Sequence, residues 1–322
     1  MGEHFIKNIE IRNFKCFENF TAEGLGRVNL IGGKNNVGKT AFMEAVFVNV
    51  YAQNLRSFTL SLSFIKFARE TLNLNSSNNN VHTNNRKKFL ELSNNIFTSS
   101  NVNHAYFRID ETEGVKKYHF EFNNQTIDVN ANEFSFDINW INNIGFIDNF
   151  GFSNKEISNA YLHVQKKDKE QFLNDILHRF DSRIEKFIGG DVPQCRLNGV
   201  WLDLTELGDG TRSLISVVVA LYGCENGYLF IDELDNGIHY TQLDELWEII
   251  LKVSKEQNVQ VFATTHSKEC IESYARVAKK LQDEEITFIE LGRNDDNEIT
   301  SIVYDFEAFM NEVEQNQEIR GW

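Results

Sequence analysis

Two glycines, a lysine and a threonine near the start of the chain have the spacing of a phosphate-binding loop. Gly33, Gly38, Lys39 and Thr40 occupy every fixed position of the pattern G-x-x-x-x-G-K-[ST]. Glycines let the backbone curl so that successive N–H groups and the following helix N-terminus face an anion. We expect Lys39 to face the β and γ phosphates of a nucleotide and the Thr40 hydroxyl to bind Mg²⁺. The alternative, a glycine turn that binds nothing, is disfavoured by the strand predicted before the loop and the helix predicted after it.

Two adjacent carboxylates, Asp232 and Glu233, follow a short apolar run in the sequence YLFIDE. The run Tyr228–Ile231 predicts a buried strand, and ligands of open α/β sheets bind at the carboxyl ends of strands. We expect Asp232 to hold Mg²⁺, directly or through water, and Glu233 to act as general base on an attacking water. The second carboxylate favours hydrolysis over transfer to a bound acceptor.

A third candidate is His266, in the sequence TTHS that follows the apolar run VQVFA. Two interpretations are open. The imidazole contacts the γ phosphate or orients Glu233, or the segment is a helix-capping cluster in which His266 is incidental, because Ser and Thr favour N-caps. Its position shortly after the carboxylate pair favours the functional interpretation.

A glycine-rich turn, Gly208-Asp209-Gly210, stands before the strongly apolar segment TRSLISVVVAL. Such a turn at a helix N-terminus is a second anion site, although the chain needs only one for its own phosphate loop. We therefore expect the turn to act in trans, on a nucleotide held by another subunit. A plain turn that starts a helix is the alternative.

These residues must be positioned by a sheet, and the two ends of the chain predict one. Hydrophobic patterns predict strands at 5–11, 16–20, 28–31, 228–231, 259–263 and 287–291, and helices at 40–50, 241–253 and 268–281. Alternating strands and helices predict an α/β fold with a mainly parallel central sheet flanked by helices.

The middle of the chain has a different texture. Residues 73–85 are almost all Asn, Ser and Thr and predict a loop. Antiparallel strands are predicted at 106–109, 117–122 and 134–140, with turns at Glu113-Gly114 and Asn123-Asn124. Residues 155–188 predict a helical segment, which either packs on the domain or forms an arm that reaches DNA or a partner. We therefore divide the chain into a core that carries the four motifs, residues 1–50 and 195–322, and an inserted β and helical subdomain, residues 51–194.

Composition excludes several classes of protein. The 322 residues are 41% hydrophobic and carry a formal net charge of −15, so the surface as a whole repels polyanions. The four cysteines form no Cys-x-x-Cys pair, which argues against a zinc knuckle or a redox dithiol. Since no apolar run approaches the roughly 18 residues of a membrane span, we expect a cytoplasmic protein without a membrane partner.

Taken in order, the motifs resemble those of the ABC-type ATPase heads of the RecF, SMC and OLD-like class, most closely the compact stand-alone AAA family ATPases of bacterial defence loci. Residues 33–40 resemble the Walker A motif, 231–233 the Walker B motif, 207–211 the signature motif and 234–238 the D-loop, and His266 resembles the switch histidine. Residues 13–17 resemble the hairpin run near the nucleotide base, and the tail at 318–320 is similar to the end of such compact ATPases.

The resemblance implies ATP and Mg²⁺ as cofactors and a homodimer, or a higher oligomer, in which two heads sandwich two ATP molecules. Catalysis would fall to Glu233 and His266, and metal binding to Thr40 and Asp232. The implied nucleotide-binding residues are Gly33, Asn35, Asn36, Val37, Gly38, Lys39, Thr40 and Ala41 of one chain and Gly208, Asp209, Gly210 and Thr211 of the other.

Two departures from the family pattern stand out. Gly208 replaces a serine whose hydroxyl reaches the γ phosphate in many members, so slow turnover is expected. Residues 147–153, where the Q-loop is expected, contain no glutamine.

Three functions follow from these motifs. The first is an ATP-hydrolysing, dimerising switch that regulates a separate effector, a nuclease or toxin, in antiviral defence. The second is a DNA-repair or DNA-tethering ATPase that clamps nucleic acid. It would need a local basic surface, and the candidates are Arg86, Lys87, Lys88, Lys116, Lys117, Lys166, Lys167 and Lys169. The third is a nucleotide sensor with little turnover.

Overall fold

The computed structural model describes residues 2–70, 95–112, 115–123, 125–130, 143–148 and 151–315, except for the side chains of residues 63, 66–70 and 115. Several predicted features lie outside the described residues. These are the Asn-rich loop at 73–85, the cationic cluster at 86–88, the turn at 113–114, half of the turn at 123–124, the strand at 134–140 and the tail at 318–320.

Strands within the described residues are β1 (Asn8–Phe14), β2 (Phe17–Glu23), β3 (Val28–Gly33), β4 (Ile96–Ser100), β5 (His104–Thr112), β6 (Val115–Phe122), β7 (Gln125–Asn130), β8 (Ile144–Ile147), β9 (Ile184–Ile188), β10 (Gln194–Leu197), β11 (Val200–Asp203), β12 (Tyr228–Ile231), β13 (Gln260–Thr264), β14 (Ile286–Arg293) and β15 (Ile299–Tyr304). Helices are α1 (Lys39–Tyr51), α2 (Leu55–Glu70), α3 (Asn154–Lys166), α4 (Glu170–Phe180), α5 (Asp209–Gly223), α6 (Leu243–Glu256), α7 (Lys268–Leu281) and α8 (Phe306–Glu314). Short 3₁₀ turns lie at Leu204–Glu206 and Tyr240–Gln242.

The central sheet has the strand order β15-β14-β3-β13-β12-β8, and all its strands are parallel except β15. Strands β3, β12 and β13 are buried along their whole length, as expected of a parallel sheet covered on both faces. A separate antiparallel sheet has the order β2-β1-β4-β5-β6-β7, and a smaller one the order β11-β10-β9. The predicted α/β fold, with a mainly parallel sheet and an antiparallel layer, is confirmed.

Neighbouring residues of the central strands supply two hydrophobic cores. Leu30 and Leu229 pack with helices α3 to α7, whereas Ile31 and Phe230 pack with α1, α2 and the large antiparallel sheet. Successive side chains of a strand point to opposite faces, so each strand contributes to both cores. All four side chains are fully buried or nearly so, which anchors the strands that carry the candidate site.

The register of β3, β13 and β12 brings their carboxyl ends to one edge of the sheet. Thr264 lies opposite Ile31 of β3, and Ala263 lies opposite Ile231 of β12. The loops that follow these three strands therefore begin side by side. They carry the phosphate loop, the carboxylate pair and His266.

The segment 155–188 is not helical throughout, and the prediction was wrong over Ile184–Ile188. Phe180, Ile184 and Phe187 keep a helical spacing, but the last two belong to β9, which pairs antiparallel with β10. Strand pairing with a neighbour overrides the local periodicity here. Helix α3 buries Ile157, Tyr161 and Val164 in the core that contains α5, as a helix packed on the domain would.

The division into a core and an inserted subdomain stays a prediction. Strand β8 falls in the span assigned to the insertion, yet it pairs with β12 in the central sheet. The unpredicted elements are strands β4, β7, β8, β10, β11 and β15 and helices α2 and α8. All four cysteines are free, and three of them are buried.

Candidate nucleotide site

The phosphate loop has a backbone conformation that requires glycine at two positions. Gly33 has a φ of 141°, and a Cβ at that position would lie 2.5 Å from the carbonyl oxygen of Leu291. Gly38 precedes α1 with a φ of 105°, and no side chain caps the helix N-terminus there. The N–H groups of the first helical turn therefore have no capping side chain, which is the arrangement that binds phosphates.

The Lys39 ammonium is buried, and its hydrogen-bond partners are neutral groups. Its Nζ donates to the carbonyl oxygens of Gly33 at 2.7 Å and Lys34 at 2.9 Å, and lies 3.0 Å from His266 Nδ1. Burial lowers the Lys39 pKa to about 8, against the opposing charges of Asp232 and Glu233. A buried ammonium in these surroundings is suited to an anionic ligand.

Thr40 and Asp232 place two hard oxygen donors together. Thr40 Oγ1 donates to Asp232 Oδ1 at 3.0 Å across the gap between the phosphate loop and the end of β12. A hydroxyl and a single carboxylate fit Mg²⁺, which is usually bound by one or two carboxylates, substrate phosphates and waters rather than by a complete protein cage. The described residues contain no cluster of three or more His, Cys, Asp or Glu side chains that could hold a metal by themselves.

His266 lies between Lys39 and Glu233. Its Nε2 is 3.7 Å from Glu233 Oε1, while its Nδ1 faces the Lys39 ammonium. Burial and then the charge of Lys39 lower the His266 pKa, so the ring is neutral near pH 7. Because Lys39 can only donate, Nδ1 accepts, and the ring proton sits on Nε2 toward Glu233. The capping role belongs to Ser267, whose hydroxyl accepts from the Cys270 N–H at 3.1 Å.

We call Lys39, Thr40, Asp232, Glu233 and His266 the phosphate cluster, because contacts within one chain join all five. Residues 208–211, which we call the signature turn, lie elsewhere. Gly208 and Asp209 are exposed, and no hydrogen bond among the described residues joins the turn to the phosphate cluster.

The signature turn rests instead on residues 234–238, the segment that resembles a D-loop. A Cβ on Gly210 would lie 2.4 Å from the carbonyl oxygen of Gly237, whose φ is 73°. The same segment is tied to the strand before His266, since Thr265 Oγ1 donates to Asp235 Oδ1 at 2.5 Å. One short segment thus contacts the signature turn at one end and the neighbourhood of the phosphate cluster at the other.

Sequence reasoning missed Thr264 as a site residue. It had appeared only as part of a possible helix cap, but its hydroxyl bonds Asp232 at 2.6 Å and accepts the Glu233 N–H at 2.8 Å. No sequence signal marks this residue, because its contacts depend on β13 lying beside β12 in the sheet. The contact of Ile147, the last residue of β8, was likewise not predicted: its carbonyl accepts the Asp232 N–H at 2.9 Å.

Of the candidate basic residues that the structure describes, two form ion pairs with carboxylates and two lie opposite a carboxylate in a strand pair. Lys117 lies opposite Asp110 in the β5–β6 register, and Lys116 lies opposite Glu111. Lys167 forms an ion pair with Glu225 at 2.7 Å, and Lys169 one with Glu256 at 2.9 Å. Such pairing reduces the charge that each lysine can offer to a phosphate backbone.

None of the helices in the described part of the chain is long and apolar enough to cross a membrane.

Two protein-family models match the chain. The family described as "AAA domain, putative AbiEii toxin, Type IV TA system" matches residues 166–272, and the family described as "AAA ATPase domain" matches residues 5–51. Together the matched segments contain the phosphate loop, the signature turn, the carboxylate pair and His266.

Relatives and solved structures point the same way. A Helicobacter pylori protein named ATP/GTP phosphatase is 23% identical over 328 residues, covering 85% of this chain and 89% of that protein. An uncharacterized protein of Methanocaldococcus jannaschii is 32% identical over 111 residues, covering 34% of this chain and 93% of its own length. A crystal structure of an Smc head bound to the C-terminal winged-helix domain of ScpA superposes with a TM-score of 0.52 at 11% identity, covering 95% of this chain and 99% of that one. An Smc head with an extended coiled coil, bound to the C-terminal domain of ScpA derived from Pyrococcus furiosus, gives a TM-score of 0.52 at 12% identity, covering 98% of this chain and 100% of that one.

The fold is that of the Smc head domain. The two family models and the Helicobacter pylori relative support an ABC/SMC-like AAA ATPase, the class that the motifs resemble.

Proposed function

We propose that the chain binds ATP with Mg²⁺ and hydrolyses it to ADP and phosphate. The observation that carries this proposal is the chain of contacts from Lys39 through His266 to Glu233, beside the contact between Thr40 and Asp232. A phosphate-facing cation, a metal-binding oxygen pair and a carboxylate base are the parts that nucleotide hydrolysis needs. The name of the Helicobacter pylori relative, ATP/GTP phosphatase, supports the same reaction class.

Each residue has a role in this reaction. Lys39 and the N–H groups at the start of α1 bind the phosphates, and Thr40 and Asp232 hold the metal ion, which supplies charge neutralisation at the phosphates. Glu233 takes the proton of the attacking water. Its side chain is partly exposed, with 43% of its surface accessible, so water reaches it. Neutral His266 donates from Nε2 toward Glu233 or the γ phosphate and orients the base.

The signature turn extends the proposal to a dimer. Its exposed Gly208 and Asp209 lie at the N-terminus of α5, where N–H groups are available to an anion, yet among the described residues no hydrogen bond joins them to the phosphate cluster of the same chain. We assign them to the nucleotide of a second copy, so that ATP closes two heads and product release opens them. The Smc heads among the similar structures share the fold on which this arrangement depends.

We propose further that the chain regulates a separate effector, a nuclease or toxin used in antiviral defence. It is supported by the description of the matching family as a putative AbiEii toxin of a Type IV toxin–antitoxin system. The DNA-clamp alternative has less support, because Lys167 and Lys169 form ion pairs with carboxylates and the net charge of the chain is −15.

The test is phosphate release by the wild type and Glu233→Gln, with ATP and GTP, in Mg²⁺ and in EDTA. Loss of a general base predicts a fall in turnover of about 10²- to 10⁴-fold in the variant. The variant should still bind ATP and should accumulate as a dimer in light scattering at saturating ATP and Mg²⁺. Equal rates in both proteins would refute the role of Glu233, and a variant that stays monomeric with ATP bound would refute the dimer.

Effector and nucleic acid are tested separately. Native copurification from cells that carry the neighbouring genes should recover a bound effector. Duplex DNA binding in the presence of ATP at about 50 mM salt, falling steeply as salt is raised, would favour the DNA clamp instead.

A further inference from the structure

Thr264, the last residue of β13, is fully buried between the strand that leads to the phosphate loop and the strand that leads to the carboxylate pair. It bonds three consecutive residues of the neighbouring loop. Its hydroxyl donates to Asp232 Oδ1 at 2.6 Å and accepts the Glu233 N–H at 2.8 Å, while its carbonyl accepts the Leu234 N–H at 3.0 Å. A hydroxyl has one donor and can accept as well, so both side-chain bonds form at once.

The middle one of these three residues, Glu233, has an unusual backbone conformation. Glu233 has a φ of 51°, in the left-handed region that costs an L-residue about 1–2 kcal/mol. Such a conformation persists only where the surroundings impose it. Thr264 bonds the residue before Glu233, the Glu233 N–H and the residue after it, and the Asn236 N–H donates to the Glu233 carbonyl at 2.9 Å, so these contacts together hold the conformation.

Thr264 also helps to fix the orientation of the Asp232 carboxylate. It accepts from Thr40 at 3.0 Å as well as from Thr264 at 2.6 Å. If Thr40 turns to a metal ion, as the proposed function requires, Thr264 is the partner that remains on this oxygen. The carboxylate then keeps its orientation while its other neighbour changes.

From this geometry we infer that Thr264 is a positioning residue for hydrolysis: its hydroxyl fixes the Asp232 carboxylate and the strained Glu233 backbone in their working orientations. It touches neither nucleotide nor water itself and acts through the two carboxylates. The inference rests on the proposed function, since it presumes that Glu233 is the base.

The test compares Thr264→Val, which keeps the shape and removes the hydroxyl, with Thr264→Ser, which keeps the hydroxyl. Loss of such a supporting hydrogen bond typically costs 10–100-fold in activity, so we expect the kcat of Thr264→Val to fall by about that factor. Thr264→Ser should stay within about threefold of the wild type. Binding of a fluorescent ATP analogue without Mg²⁺ should be unchanged in both, because the hydroxyl contacts no group that holds the phosphates.

Thr287→Val is the matched control. Thr287 is a buried threonine of β14 in the same sheet, and its hydroxyl donates to the Gly24 carbonyl at 3.1 Å, away from the phosphate cluster. It should turn over ATP like the wild type, with a comparable loss of thermal stability to that of Thr264→Val.

Two outcomes would overturn the inference while the proposed function stands. In one, Thr264→Val hydrolyses ATP at the wild-type rate although Glu233→Gln does not. In the other, the threonine proves to be structural. Either Thr264→Val and Thr264→Ser are then equally slow, or the valine variant loses nucleotide binding or folding in step with turnover. Equal rates in Glu233→Gln and the wild type would instead remove the proposed function on which the inference rests.

Discussion

The phosphate cluster and the signature turn both lie at a helix N-terminus, but only the phosphate cluster brings together side chains from several segments of the chain. Lys39, Thr40 and the residues after β12 and β13 meet because three parallel strands end at one edge of the sheet. The signature turn lies at the start of α5 and packs on Gly237, with Gly208 and Asp209 open to solvent. The comparison teaches that sheet topology preorganises the phosphate cluster, whereas the proposed role of the signature turn requires a second copy of the chain.

The largest effect that separates the two regions is expected from Gly210→Ala. The new methyl would lie 2.4 Å from the Gly237 carbonyl oxygen, so the signature turn and residues 234–238 must move apart. Because a displacement of about 1 Å can cost 10²-fold in rate, we expect turnover to fall by roughly that factor. ATP binding should be nearly unchanged, because the phosphate loop of the same chain is untouched. Titration of a fluorescent ATP analogue and steady-state phosphate release measure the two quantities.

Gly190→Ala is the control, since a Cβ there meets nothing closer than 4.0 Å.

Mixing two inactive variants then tests whether Gly210→Ala impairs a nucleotide site on the partner subunit. In a Gly210→Ala and Lys39→Ala heterodimer, one composite site pairs an intact phosphate loop with an intact signature turn. Equimolar mixing should restore about a quarter of the wild-type rate, because half of the dimers of a two-fold assembly are mixed and each has one good site. If the mixture is no faster than its components, the site is complete within one chain and the comparison fails.

A smaller effect is expected from the charge state of the phosphate cluster. The Lys39 pKa is lowered to about 8 by burial, so near pH 8 about half of the free protein lacks the ammonium. Bound phosphates favour the charged form, so ATP binding should take up about half a proton near pH 8, and affinity should fall as pH rises above that value. Calorimetry in two buffers of different ionisation enthalpy measures the uptake.

Lys39→Arg supplies the matched comparison for this linkage, because a guanidinium stays charged throughout this range. The variant should bind ATP without proton uptake near pH 8. Equal uptake in the variant and the wild type would assign the proton to another group. The signature turn has no counterpart to this effect, since its anion-binding groups are backbone N–H groups that do not titrate.

How much could be predicted from sequence depends on whether a feature is specified locally or by contacts between distant segments. The phosphate loop and helix α7 were predicted closely because a fixed spacing or a 3.6-residue period specifies them locally. Ile184–Ile188 was predicted as helix because its apolar spacing fits one, and only pairing with β10 makes it a strand. The bonds of Thr264 were beyond prediction, since they require that β13 lie beside β12 in a particular register.

The smallest expected effect comes from Gly208→Ser, which adds a hydroxyl to the signature turn. Gly208 has a φ of −65°, which suits any residue, and a Cβ there meets nothing within 4 Å, so serine fits without strain. If the turn faces the γ phosphate of a partner's nucleotide, one added hydrogen bond of about 0.5–1.5 kcal/mol should raise turnover by a few-fold. Gly208→Ala occupies the same space without the hydroxyl and should leave the rate unchanged. The gain should appear only at protein concentrations where dimers form. A gain that persists in dilute monomer, or that alanine reproduces, would mean that the turn acts on its own chain.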